Sequence, residues 1–213
     1  MKTEELIGLL AAGARPVAPY VVERRFAGAA LTGLAGAALL MLLLYGVRPD
    51  LNQAMQLPMW WLKFGFAAAL AAAAALALLR LARPGMPTGH ALIWVLLPPL
   101  LLWVLAAAAL QGAAPTERVT MVLGSTWRSC PFNIALLSLP GFAALMWGLR
   151  QAAPTHLRLA GAAAGLLAGA LATLAYALHC PEMQAPFLAV WYVLGLALPT
   201  ALGVAIGPRV LRW

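Results

Sequence analysis

Residues 26–47 read Phe-Ala-Gly-Ala-Ala-Leu-Thr-Gly-Leu-Ala-Gly-Ala-Ala-Leu-Leu-Met-Leu-Leu-Leu-Tyr-Gly-Val, without one charged side chain. The run is apolar on every face, so it has no polar side to turn toward water. Its length matches the hydrocarbon core of a bilayer, about 30 Å thick. Five further runs have the same character: 59–79, 91–111, 130–149, 159–178 and 186–207. Only the second carries a charge, Lys63. The sequence therefore predicts an all-α, polytopic membrane protein with six transmembrane helices. Composition agrees, with 64% hydrophobic and 9% charged residues, against about a quarter charged in soluble domains. Pro98-Pro99, Pro140 and Pro199 lie inside spans, where neighbouring helices can satisfy the freed carbonyls; kinks are expected there.

The basic residues orient the bundle. Lys2, Arg15, Arg24, Arg25, Arg80, Arg83, Arg150, Arg158, Arg209 and Arg212 fall on the side of the N-terminus, whereas only Arg48, Arg118 and Arg128 fall on the other. The positive-inside rule then places both termini in the cytoplasm. The net charge of +8 is scattered between apolar runs and builds no continuous basic face, so no direct nucleic-acid contact is expected. Tyr45, Trp60, Trp61, Trp127 and Tyr176 fall near the outer interface, and Trp94, Trp147 and Trp213 near the inner one. No cleavable signal peptide is expected, because Glu4 and Glu5 follow Lys2 and the first long apolar run starts only at Phe26.

Residues 1–25 are the only sizeable cytoplasmic segment, and the longest loop is 112–129. In the segment, Thr3 can cap a short helix carrying Glu4 and Glu5 in its first turn. Leu6, Leu9 and Leu10 then share one face, and Gly13, Pro16 and Pro19 end the helix. Such a face suits docking into a partner's groove. Gly28, Thr32 and Gly36 in the first span, and Gly161, Gly165 and Gly169 in the fifth, recur every four residues and permit close helix approach, within the monomer or across a dimer. The first and fifth spans also open alike, Arg25-Phe-Ala-Gly-Ala-Ala30 against Arg158-Leu-Ala-Gly-Ala-Ala163. Their far ends match as well, Arg48-Pro49-Asp50 against Cys180-Pro181-Glu182. They are either a diverged hairpin repeat or a chance likeness of Ala/Gly-rich helices.

Chemistry concentrates at one face. Cys130 opens the fourth span and Cys180 follows the fifth in Leu178-His179-Cys180-Pro181-Glu182. In a Gram-negative host that face is the oxidising periplasm, and the two helix ends are close enough in topology for a disulfide. A functional redox pair and a static staple both fit. His179 can activate the neighbouring thiol or serve as an interfacial hydrogen-bonding residue. Cys130 and Cys180, with His179 and Glu182, also make a candidate site for a soft metal. No resident cofactor is expected, only transient heavy-metal capture. Lys63, just inside the second span, either finds Asp50 or Glu182 as a partner or snorkels to the interface. No hydrolase, P-loop or dinucleotide motif occurs, and no catalytic residue is assigned. A membrane thiol oxidoreductase and a small-solute transporter are the rival readings. The first lacks a second redox pair, and the second lacks a chain of intramembrane acids.

Three stretches carry a family likeness: Tyr176-Ala-Leu-His-Cys-Pro-Glu182 with Ala185-Pro-Phe-Leu-Ala-Val-Trp-Tyr192, the opening Lys2-Thr-Glu-Glu-Leu-Ile7 with Arg15-Pro16-Val17, and Pro58-Met-Trp-Trp-Leu-Lys-Phe64 after Arg48-Pro-Asp-Leu51. Together they resemble the NrsF family, negative regulators of sigma F, over essentially the whole chain. The resemblance implies an anti-sigma factor of the bacterial inner membrane that is not an enzyme. It implies that an extracytoplasmic-function sigma factor is held by residues 1–25, including Glu4, Glu5, Leu6, Leu9 and Leu10. It also implies that Cys130 and Cys180 relieve this inhibition under metal or oxidative stress.

Overall fold

The computed structural model describes residues 3–13, 20–86, 89–152 and 154–212. Lys2, Arg15, Pro16, Pro19 and Trp213, invoked above, lie outside them. The described residues form helices joined by turns and short irregular stretches, with no strand among them. In order it forms α1 (Thr3–Gly13), α2 (Val21–Leu44), the short α3 (Leu51–Ala54), α4 (Pro58–Leu81), α5 (Ala91–Gly112), α6 (Pro115–Leu123), α7 (Cys130–Arg150), α8 (Leu157–Tyr176), α9 (Ala185–Phe187), a π turn (Leu188–Tyr192) and α10 (Val193–Val210). The six expected spans correspond to α2, α4, α5, α7, α8 and the continuous stretch Ala185–Val210, each long and apolar enough to cross a membrane.

The largest boundary difference is at the first span, which begins at Val21 instead of Phe26. Charge did not end the helix: two of its three charged groups found partners, and Arg24 is exposed. Glu23 pairs with Arg83, just beyond α4, and Arg25 Nη1 donates to the Gln151 carbonyl beyond α7 at 3.1 Å. Residues 112–129, expected as loop, contain α6, with Pro115 in its first turn, where a missing N–H costs nothing. α5, α7 and α10 continue through their prolines. The sixth span also contains a π turn. Its altered bonding leaves carbonyls available, and Ala189 O accepts a bond from Trp103 Nε1 of α5 at 2.9 Å. Trp191 Nε1 reaches Val122 O of α6 at 2.8 Å.

α8 is the centre of the bundle: 78% of its apolar window is buried, against 17% for α2 and α5. Its Ala/Gly composition explains why. A Cβ on Gly161 would lie 2.1 Å from Gly203 O, one on Gly203 would lie 2.0 Å from Gly161 O, and one on Gly165 would lie 2.1 Å from Pro199 O. The stripe Gly161, Gly165 and Gly169 therefore seats α10 within the monomer. α2 uses a different set from the expected one. Gly33, whose Cβ would meet Gly141 Cα of α7 at 2.6 Å, joins Gly36, which lies against Pro140; Gly28 meets nothing within 4 Å and Thr32 is exposed.

Two glycines set up the site. Gly46 (φ +72) closes α2 in a left-handed turn, its N–H and that of Tyr45 both bonding Met41 O. This aims Val47 and Arg48 across the bundle. Gly124 (φ +56) begins the stretch leading to α7; a Cβ there would stand 2.6 Å from Glu182 Oε2 and 2.7 Å from Phe187 Cδ2.

Candidate functional site

Cys130 and Cys180 come together at one end of the bundle, both as free thiols and both wholly buried. Cys130 is the first residue of α7. Cys180 lies in the segment 177–184 between α8 and α9, its N–H bonding Tyr176 O at 3.0 Å. The two thiols are close enough to influence each other's ionisation. The neighbouring Cys130 thiol, and after it the nearby Lys63, hold the Cys180 thiol below the usual thiol range despite its burial.

Lys63 departs from both expectations. It does not snorkel, because it is fully buried. Neither Asp50 nor the Glu182 carboxylate receives it. Its Nζ donates to the backbone carbonyls of Cys180 (2.7 Å) and Glu182 (3.2 Å) and stands 5.5 Å from the centre of the Tyr192 ring. The 177–184 segment folds over the lysine, so the route to the interface is closed and the carbonyls of that segment replace water.

Arg48 secures the same segment from the side of α2. Its N–H bonds Leu178 O at 3.1 Å, and Nη1 donates to Cys180 O (3.3 Å) and Pro181 O (3.5 Å). Nε and Nη2 grip both oxygens of Asp50 at 2.7 Å. The bidentate pair raises the arginine's pKa and lowers that of the Asp50 carboxyl. The repeat-like motifs Arg48-Pro49-Asp50 and Cys180-Pro181-Glu182 are thus in direct contact.

The other expected residues are placed differently. His179 Nδ1 bonds Gly46 O at 3.0 Å, and the ring packs between Tyr45 and Tyr176, centroids 5.3 and 5.7 Å away. It is a hydrogen-bonding residue of the α2 end. Glu182 Oε1 accepts from the N–H and Oγ of Ser125 (both 2.7 Å) and the N–H and Oγ1 of Thr126 (3.1 and 3.2 Å). It anchors the stretch before α7. Among the described residues, no three His, Cys, Asp or Glu side chains gather into a metal-binding group; the soft donors that come together are the two thiols. Glu4, Glu5, Leu6, Leu9 and Leu10 all lie on α1, which buries none of its residues.

Several site residues were not singled out from the sequence. Tyr176, read as an interfacial aromatic, is buried beside the thiols; Trp60 of the same expected belt is buried too. Asn133 donates to the Tyr176 hydroxyl (3.3 Å) and accepts from Tyr45 (3.0 Å). Tyr192, delivered by the π turn, is wholly buried, and its hydroxyl has no partner of hydrogen-bond geometry. The available signal was polarity inside apolar runs: Asn133 lies three residues into the run 130–149 and Tyr192 six residues into the run 186–207, where a polar group in contact with lipid is costly. An apolar cleft of about 480 Å³ between α4 and α5, lined by residues such as Phe66, Leu97 and Leu101 and by Trp94, contains none of the site residues.

Comparison with known proteins bears on the whole chain. The family model described as "Negative regulator of sigma F" matches residues 10–213. A protein of Azospira oryzae named "Probable anti-sigma-F factor NrsF" is 51% identical over 213 residues, covering all of both chains. The "Anti-sigma-F factor NrsF" of Caulobacter vibrioides is 39% identical over 219 residues, again covering both chains entirely. No solved structure matches. On a family match spanning nearly the full chain and full-length relatives at these identities, the chain belongs to the NrsF family of negative regulators of sigma F.

Proposed function

We propose that this protein is an anti-sigma factor of the inner membrane, holding an extracytoplasmic-function sigma factor through α1 and releasing it when an oxidant or soft metal engages Cys130 and Cys180. The observation that carries the reading is α1 itself. Its Leu6, Ile7, Leu9 and Leu10 are 42%, 54%, 66% and 67% exposed, on a helix with no buried residue. A short helix with an apolar face and acidic first turn fits a partner's groove. The names of both relatives supply the class of partner. Loop charge supports a cytoplasmic N-terminus, which sets the cysteine end on the opposite side.

The test is co-purification in detergent with the host's sigma factor, using the full chain and a variant lacking residues 1–19, which stops short of α2. Truncation is expected to lower sigma-factor affinity at least tenfold, about 1.4 kcal/mol. Equal recovery with both chains overturns the assignment to α1.

The cysteine half of the reading has its own measurement. The double variant Cys130→Ser, Cys180→Ser is expected to retain the sigma factor and to abolish induction of a sigma-dependent reporter by oxidant or heavy metal. Full induction in that variant overturns it.

A further inference from the structure

At the end of the bundle that carries the cysteines, α7 and α10 leave a groove of about 280 Å³ between them. The two helices approach closely beside it, since a Cβ on Gly195 would stand 2.9 Å from Ile134 Cδ1. Pro131 and Phe132, from the first turn of α7, line one wall, and Leu194 and Leu198 of α10 line the other. Phe132, Leu194 and Leu198 are 69%, 43% and 37% exposed, and on a span such faces meet lipid. Leu194 and Leu198 are one turn apart, about 6 Å along the axis, and carry the groove into the span. The rim differs in kind. Trp127 and Trp191 stand against each other with ring centroids 5.3 Å apart, and Arg128 lies over the Trp127 ring, its Cζ 5.0 Å from the centre. Arg128 is exposed and closes no ion pair with a described residue. The acids of this end are engaged or elsewhere: Asp50 is held by Arg48, the Glu182 carboxylate accepts from Ser125 and Thr126, and Glu117 lies on α6.

We propose that this groove is a phospholipid site: an anionic headgroup pairs with Arg128 beside Trp127, and an acyl chain of the same lipid lies along Phe132, Leu194 and Leu198. The guanidinium is permanently charged and lacks a counter-ion in the protein, so a phosphate completes it. Tryptophan at a membrane boundary sits at headgroup level, and basic pockets between spans select anionic headgroups. Both walls belong to spans, so the bilayer itself supplies the occupant. The larger cleft between α4 and α5 has no charged residue in its lining and selects no headgroup. A lipid in the α7–α10 groove touches Pro131, next to Cys130, and Trp191 of the π turn. It therefore braces the cysteine end from outside without entering it.

The test needs no sigma factor, so its outcome is separate from that of the proposed function. Full-length protein in mild detergent is mixed with equal amounts of phosphatidylglycerol and phosphatidylcholine bearing the same chains, and retained lipid is counted by native mass spectrometry. Wild type is expected to retain phosphatidylglycerol about fivefold over phosphatidylcholine, the preference given by one basic side chain near a membrane surface. Arg128→Gln is expected to bring the ratio to near one, and Arg128→Lys to keep most of it. Arg118→Gln removes the same charge from the same end of the bundle, outside the groove, and is expected to leave the ratio unchanged. Soluble glycerophosphate, which has no chains, is expected not to displace the lipid. A wild-type ratio near one, or an unchanged ratio in Arg128→Gln, overturns the proposal. An equal loss in Arg118→Gln reduces the effect to general surface charge and overturns it too. Displacement by glycerophosphate removes the acyl seat, and a dimer mass with no lipid preference gives the groove to a second copy of the chain; either result overturns the site as a lipid site.

Discussion

Gly161→Ala is expected to prevent recovery of a folded, monodisperse protein. The added Cβ would stand 2.1 Å from Gly203 O, which belongs to a backbone and cannot rotate away. The seam is reciprocal, since a Cβ on Gly203 would meet Gly161 O at 2.0 Å, so α8 and α10 must separate along the whole stripe. Overpacking that a core can absorb costs about 1–3 kcal/mol, and a backbone clash at the most buried span belongs at or above the top of that range. Interfaces built on small residues depend on this close approach, because lipid supplies no hydrophobic drive between helices. Gly28→Ala is the control. It meets no atom within 4 Å and gains about 1 kcal/mol of helix propensity. Size-exclusion profiles and thermal unfolding in detergent compare the two; indistinguishable behaviour would remove α8–α10 packing as the basis of the fold.

Arg48→Met is expected to separate sensing from response. The variant keeps the apolar stem and loses the guanidinium bonds to Cys180 O, Pro181 O and Asp50. The arginine side chain is only 9% exposed, so water compensates poorly, and each charge-assisted bond contributes about 1.5–3 kcal/mol. On the proposed function, a change at Cys180 must reach α1 through an element that contacts both ends of the bundle. α2 is that element: its far end is held to the 178–181 segment by Arg48 and by the His179–Gly46 bond, and its other end continues toward α1. Allosteric couplings are about 1–3 kcal/mol, or 5–150-fold in affinity. In wild type the sigma-factor affinity of reduced and oxidised protein should differ within that range. In Arg48→Met the ratio should fall to near one, with the cysteines still oxidised by peroxide. A wild-type ratio would exclude Arg48 from the route.

The fold was legible because lipid leaves few options: six long apolar runs must be helices, and each is. What the runs hid was anything set by a partner distant in sequence. Val21 starts α2 because Glu23 and Arg25 meet Arg83 and Gln151 O, and neither contact has a local signature. Lys63 is a few residues from a span end, where a lysine ordinarily snorkels; that the 177–184 segment would cover it is a tertiary fact. Tyr176 and Trp60 have the composition of an interfacial belt but lie inside it. The π turn that delivers Tyr192 left no trace, since a helix apolar on all sides shows no periodicity to interrupt. The cysteines were found because they are the chain's only two thiols, and their meeting followed from the order of α7 and α8. Their neighbours Asn133, Tyr176 and Tyr192 required the packed structure.

The contact of Gly33 with Gly141 also has a mechanical meaning. α2 has 24 residues and is therefore about 36 Å long. The glycine pair touches it near mid-length, backbone against backbone. Such a point can serve as a fulcrum. A tilt of about 5° about it swings each end by roughly 1.5 Å in opposite directions. On the proposed function, a small push at the end of α2 that precedes Arg48 would become an opposite stroke at its N-terminal end, with no need for the helix to bend or unwind.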